Sequence, residues 1–295
     1  MGDQETTTLL AIDIALLVVV VGIFVANRRR HKRTVEDAYS QTIAVRLALV
    51  CLATGVLFFI NFVWLISSDH MGSLVQETVS EFISGVLEGV VLMSFFTLMV
   101  VQVGGTKAAI AIFASRIPDT EGATAIATTR YSRYRQVILV FALLRPILAV
   151  LLGLLSLTTS PTKYVRMVLA VVNVVLLAAA LICVIRTLMA LKTHIPDKFA
   201  LKKKFIVIKL ILMLATIQWT IYTYVDDYAT EESHLKYYWS VSLAEVCMLS
   251  GLYYSVSSPA THTPMGTPPV GLWRLWDVTQ HPVPEYTLET PLVPV

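Results

Sequence analysis

The run VFALLRPILAVLL, residues 140–152, is almost entirely hydrocarbon, yet Arg145 and Pro146 stand at its centre. A guanidinium is permanently charged and presents a planar fork of donors that matches a carboxylate or sulfate. Proline inside a helix has no N–H to donate and frees a carbonyl of the preceding turn. The pair therefore offers a charged fork beside a loosened helix. Asp13, Glu88, Lys209 and Glu245 also fall inside apolar runs. Ionisable groups at such depth are expensive, so each is expected to face a partner or a cavity. Arg46, Arg166 and Arg186 lie near run ends, where reaching out to the membrane edge accounts for them.

Helical spacing groups the polar residues into stripes. At about 100° per residue, Ser84, Glu88 and Gln102 share one face, with Phe95 and Met99 between them. Lys209, Thr216, Thr220 and Thr223 form a second stripe, with Gln218 opposite. Tyr238 and Ser242 lie on the side of Glu245, and Arg166 with Asn173 form a fourth group. Such stripes line a solute path in one reading and knit helices together in the other. At this stage both stay open.

Motifs for bond-making chemistry are absent. The chain has no G-x-x-x-x-G-K-[ST] phosphate loop, HExxH, CxxC or GxSxG. Its six histidines are scattered, so neither a metal site nor any other cofactor is expected, and an enzyme is not expected either. Receptor signatures fail too: no acidic-Arg-Tyr triplet ends the third run, and the seventh holds no Asn-Pro-x-x-Tyr and no lysine. Cys51, Cys183 and Cys247 all lie in apolar runs, which argues against a disulfide framework.

The elements that must carry these residues are membrane helices. Of 295 residues, 56% are hydrophobic and 15% charged, with a mean hydropathy of +0.71, values typical of an integral membrane protein. About 20 apolar residues cross the hydrocarbon core. Seven runs reach that length, at 9–27, 43–66, 82–103, 136–157, 164–190, 205–225 and 237–256. The expected fold is an all-α bundle of seven transmembrane helices over residues 1–256. Loop charge sets its orientation. Fifteen bases fall in the first, third and fifth loops, in groups such as Arg28-Arg29-Arg30 and Lys202-Lys203-Lys204, while the other three loops hold only Lys163 and Lys236. Basic loops stay cytoplasmic, so the N-terminus is expected outside and the C-terminus inside. The basic loops are expected to touch membrane lipids and not nucleic acid. Residues 257–295 hold eight of the twelve prolines and read as a disordered cytoplasmic tail.

Four stretches resemble the organic solute transporter alpha subunit and the related transmembrane protein 184 family. LEGVVLMSFFTLMVVQVGG, residues 87–105, is similar to that family's third span, with an early glutamate and a closing Gly-Gly. Arg145-Pro146 matches an Arg-Pro in its fourth. KFIVIKLILMLATIQW, residues 204–219, resembles the opening of its sixth, and LAEVCMLSGLYYSVS, residues 243–257, its seventh. The matches fall in order over roughly residues 9–258. One departure is the loop after Gly-Gly: residues 106–135 lack the cysteine run often found there.

The resemblance implies a plasma-membrane, multi-pass carrier of amphipathic organic anions such as bile acids and conjugated steroids. It also implies facilitated diffusion, assembly into a hetero- or homo-oligomer and a small single-span beta-type partner. The expected solute-binding residues are Arg145, Glu88, Glu245, Lys209, Thr216 and Asn173, with Arg145 meeting the head group and Glu88 or Glu245 balancing it. The rival expectations are a seven-helix signalling receptor and a non-transporting membrane scaffold or trafficking factor.

Overall fold

A computed structural model describes residues 2–32, 38–67, 73–118, 122–157, 163–195, 197–211 and 232–259. Among these the chain forms eight α-helices and no strand. They are α1 (Gly2–Lys32), α2 (Ala38–Ser67), α3 (Ser73–Gln102), α4 (Thr106–Ala114), α5 (Ala123–Leu157), α6 (Lys163–Leu191), α7 (201–211) and α8 (Glu232–Val256). Five contain stretches long and apolar enough to cross a membrane: Gln4–Lys32, Gln41–Ser67, Thr78–Gln102, Ala123–Leu155 and Met167–Leu191. They match the first five expected runs. The seventh run lies in α8, which is long enough at 25 residues but carries more polar side chains. The sixth enters the described residues only as far as 211, and the tail only as far as 259.

Helix ends extend well past the apolar runs. The third apolar run begins at residue 82, but α3 begins at Ser73. The fourth begins at 136, but α5 begins at Ala123 and includes the basic segment TTRYSRYRQ. Residues 106–135, read as a loop, hold α4 and the first turns of α5. Hydropathy marks the part of a helix in contact with hydrocarbon. A helix continues into polar sequence as long as good helix formers such as Arg, Gln and Ala follow.

α3 is the axis of the bundle. Of its apolar stretch 72% is buried, against 11% for α1 and 22% for α6, which turn Val18, Val168, Val171 and Val175 outward. α3 packs against α2, α4, α5 and α6, while α8 packs against α1 and α2. Leu92, Phe95, Leu98 and Met99 are fully buried along its length. Phe95 stacks on Phe205 of α7 with ring centroids 5.8 Å apart.

Helices α3 and α5 approach closely, and two glycines permit it. A Cβ on Gly89 would lie 2.8 Å from both Cα and Cβ of Ala142, and one on Gly85 would lie 3.1 Å from the nitrogen of Pro146. Higher on the same seam Gly153 faces Thr78. Partners descend along α5 as they ascend along α3, so the pair is antiparallel. Small residues four apart let backbones approach, the usual device for helix packing in a bilayer.

At the other end of α3 the chain turns at once into α4. Gly104 and Gly105 adopt φ of 98° and 94°, a region open to glycine. Gly105 N–H donates to the Val100 carbonyl at 2.9 Å and Gly104 N–H to that of Val101 at 3.0 Å. These are the two bonds of a Schellman cap. The closing Gly-Gly is thus a helix stop. Elsewhere α1 and α2 are tied to α8: His31 Nε2 lies 3.0 Å from the Ser257 carbonyl just past α8, Arg30 packs over the Tyr254 ring, and Tyr253 donates to the Ala44 carbonyl at 3.1 Å.

Candidate functional site

Arg145 lies across the saddle that Gly85 leaves on α3. Its Cγ would be 3.0 Å from a Cβ at that position. From there the guanidinium reaches both ways along α3. Nε donates to Glu88 Oε2 at 3.1 Å, and Nη2 donates to Glu81 Oε2 at 2.9 Å. Ser84 Oγ donates to the other oxygen of Glu88 at 3.4 Å. Glu81, Gly85, Glu88 and Gly89 recur at the spacing of one helix face, so a single stripe supplies both the acids and the room for the arginine.

The three groups differ in access. The side chains of Arg145 and Glu88 are each 6% exposed, whereas that of Glu81 is 21% exposed. Glu88 is the inner partner and Glu81 the outer one. Pro146 completes the arrangement. Without an N–H it leaves the Ala142 carbonyl, one turn earlier, outside the helical ladder. That carbonyl faces Gly89, at 3.2 Å from where a Cβ would be. The irregular backbone is thus buried against a neighbouring helix, the setting in which it is tolerated at membrane depth.

The other expected residues fall elsewhere. Glu245 is half-buried on α8, among helices α1 and α2. Asn173 is half-buried on α6, and its Oδ1 is buried without a hydrogen-bond partner among the described residues. Lys209 is exposed on α7. Thr216 lies outside the described residues, as do Gln218, Thr220 and Thr223. Of the two carboxylates expected to balance Arg145, Glu88 does so, and the second partner is Glu81. Glu81 stands just before the apolar run 82–103 and so falls outside the expected span. The signal that would have found it is the i, i+3, i+7 recurrence of Glu81, Ser84 and Glu88, once α3 is begun early enough. The G-x-x-x-G of Gly85 and Gly89 was equally present in the sequence. Arg46, expected to reach the membrane edge, is instead buried at 5% exposure.

Three further polar groups are enclosed. Asp13 on α1 accepts from Ser240 of α8 at 2.9 Å. Asn61 on α2 accepts from Gln76 and Ser80 of α3 at its Oδ1, at 3.2 and 2.5 Å. Both tie neighbouring helices together. Lys204, at the start of α7, is 1% exposed and sits with Nζ 3.6 Å from the centroid of the Phe199 ring. Burial pushes its ammonium down to about 7.

A family model described as organic solute transporter Ostalpha matches residues 9–248. Neither a curated protein nor a solved structure matches the chain. The family match takes in α1 to α7 and most of α8, including Glu81, Glu88 and Arg145. With five helices long and apolar enough to span, the chain is a multi-pass membrane protein and belongs to the organic solute transporter Ostalpha family.

Proposed function

We propose that the chain moves amphipathic organic anions, of the bile-acid or conjugated-steroid type, across the plasma membrane by facilitated transport. In this reading it has seven spans with the N-terminus outside, and it works with a small single-span partner. The observation that carries the reading is the buried Glu81–Arg145–Glu88 triad. A steroid-like anion needs apolar surface for its rings and one desolvated cation for its head group. Arg145 supplies the cation, and α5 turns Leu144, Ile147 and Leu151 outward as apolar surface. Its bonds to two carboxylates keep it charged and oriented while no solute is present, and the bond to the outer carboxylate, Glu81, is the one a solute would displace. Asn173 on the adjoining α6 is a second candidate contact, since its buried oxygen lacks a hydrogen-bond partner among the described residues. Lys209, Thr216 and Glu245 remain proposed contacts on the strength of the sequence alone.

The test is uptake of labelled estrone sulfate into cells expressing the full chain, with and without a co-expressed single-span partner. Saturable uptake above that of untransfected cells supports the reading. Background uptake under both conditions, with the chain at the cell surface, contradicts it and favours a scaffold.

A further inference from the structure

The triad uses one arginine of α5, but α5 has four, and its sequence holds no acidic residue. The other three, Arg130, Arg133 and Arg135, lie within residues 123–135, before the apolar run begins at 136. That stretch continues the helix for about 20 Å along its axis, and packing holds it in place. Tyr131 is buried, with its ring centroid 5.7 Å from that of Phe96 on α3 and 6.4 Å from that of Phe113 on α4, which it meets edge-on. Tyr134 meets the same Phe113 at 6.1 Å, and Ala127 is fully buried. One face of the extension is thus fixed against α3 and α4, and the arginines stand on a braced helix.

The outward face carries a different pattern. Arg133, Val140, Leu144, Ile147 and Leu151 share one side of α5 at helical spacing, and all five are exposed. Arg130, one turn before Arg133, is exposed too. An outward hydrocarbon stripe therefore leads to two guanidinium forks. Arg133 and Arg130 precede the apolar run by three and six residues, about 5 and 9 Å along the axis. The headgroup layer is roughly 5–8 Å deep on each side of the hydrocarbon, so the forks stand at its level. Exposed Lys107 on α4, Arg116 just past α4 and Lys192 just past α6 add positive charge nearby. Arg116 Nη2 donates to Thr193 Oγ1 at 3.1 Å, which joins the ends of α4 and α6.

We propose that this side of α5 is a binding site for a phosphorylated inositol lipid of the inner leaflet. The acyl chains lie along Val140, Leu144 and Ile147, and Arg130 and Arg133 grip the phosphates of the headgroup. A lipid fits where a soluble anion or an acidic peptide does not, because the occupant must present hydrocarbon and phosphate together. A guanidinium fork binds phosphate bidentately where an ammonium acts as a point charge. Two forks one turn apart favour a headgroup with two phosphates on its ring over one with a single phosphate. Basic residues just cytoplasmic of a span are where such lipids are held. The inference rests on the membrane orientation proposed above and not on solute transport, so it stands or falls separately from any flux.

The experiment is native mass spectrometry of the full chain in detergent, titrated with phosphatidylinositol 4,5-bisphosphate, phosphatidylserine or phosphatidylcholine. Each basic residue near a membrane surface contributes about fivefold to anionic-lipid affinity. The bisphosphate lipid is therefore expected to bind about tenfold or more tighter than phosphatidylserine. Arg130→Gln combined with Arg133→Gln should erase that preference, whereas Arg28→Gln combined with Arg29→Gln, at exposed positions of α1, should leave it. Equal wild-type affinity for the three lipids overturns the proposal. A preference that survives loss of Arg130 and Arg133 overturns the site. Soluble inositol 1,4,5-trisphosphate that displaces the lipid at equal concentration overturns the lipid as occupant, since the acyl chains then contribute nothing. Loss of the bound lipid when a single-span partner is co-purified gives the stripe to a protein instead. Should the glutamine pair fail to fold, Arg130→Lys with Arg133→Lys decides, because it keeps the charge and removes the forks. An unchanged preference in that variant overturns their role.

Discussion

At the scale of single residues the account rests on Arg145 and its two acids. Removing one partner of a buried pair leaves uncompensated charge and costs about 3–5 kcal/mol, whereas replacing the whole set by apolar groups is often neutral or better. Arg145→Ala is therefore expected to lower the melting temperature of the detergent-purified protein sharply. Combining Arg145→Met with Glu81→Leu and Glu88→Leu should bring that temperature back near the wild-type value. The same triple variant should carry no solute flux. Recovery of stability with flux intact would show that the triad only holds helices together. The pairing itself was half legible in sequence. Glu88 and Arg145 stood out because each is a charge in an apolar run. Glu81 did not, because it lies in the polar first turns of α3, and no hydropathy pattern says which helices will be neighbours.

At the scale of elements the α3–α5 seam decides whether the triad can form. Adding a methyl at Gly89 places it 2.8 Å from Ala142 Cα and Cβ, closer than packed atoms come. Overpacking of this kind typically costs about 1–3 kcal/mol. Gly89→Ala is expected to lower thermal stability by that order, and Ala142→Gly in the same chain should recover part of the loss by removing the Cβ it meets. Additive losses in the double variant would show that the two positions do not share a contact. The existence of the helices was legible from apolar run length, since five of the expected runs coincide with long apolar helices. Their ends were not, because polar turns continue α3 and α5 beyond the hydrocarbon. The Gly104-Gly105 stop was visible as a dipeptide, but its role depends on the positive φ of both residues.

At the scale of the whole molecule the bundle has two unlike ends. The triad stands towards the end where α5 passes to α6, and buried Lys204 stands at the basic end beside Phe199. Burial pushes the Lys204 ammonium down to about 7 from its ordinary value of 10.5. Between those values the unfolded chain holds a proton that the folded chain lacks, so folding stability rises with pH across that window. Below about 7 both states are protonated and the penalty for enclosing the charge is fully felt. The melting temperature is expected to climb from pH 7 towards pH 9, and Lys204→Met should flatten most of that climb. A slope unchanged by the substitution would place its cause elsewhere. The stretch KFIVIK that resembles the family's sixth span begins at Lys204, but neither charge nor hydropathy distinguishes it from Lys202 and Lys203, and its enclosure beside Phe199 emerges only in the fold.

The central claim is that Arg145 is the cation a solute meets. It is tested most directly by initial rates of estrone sulfate uptake for wild type, Arg145→Lys and Arg145→Ala at matched surface expression. Lysine keeps the charge but loses the fork. One charge-assisted hydrogen bond is worth about 1.5–3 kcal/mol, which is roughly tenfold or more in affinity. The account predicts that Arg145→Lys raises the half-saturating concentration about tenfold or more and that Arg145→Ala abolishes saturable uptake. Wild-type kinetics in both variants would contradict it.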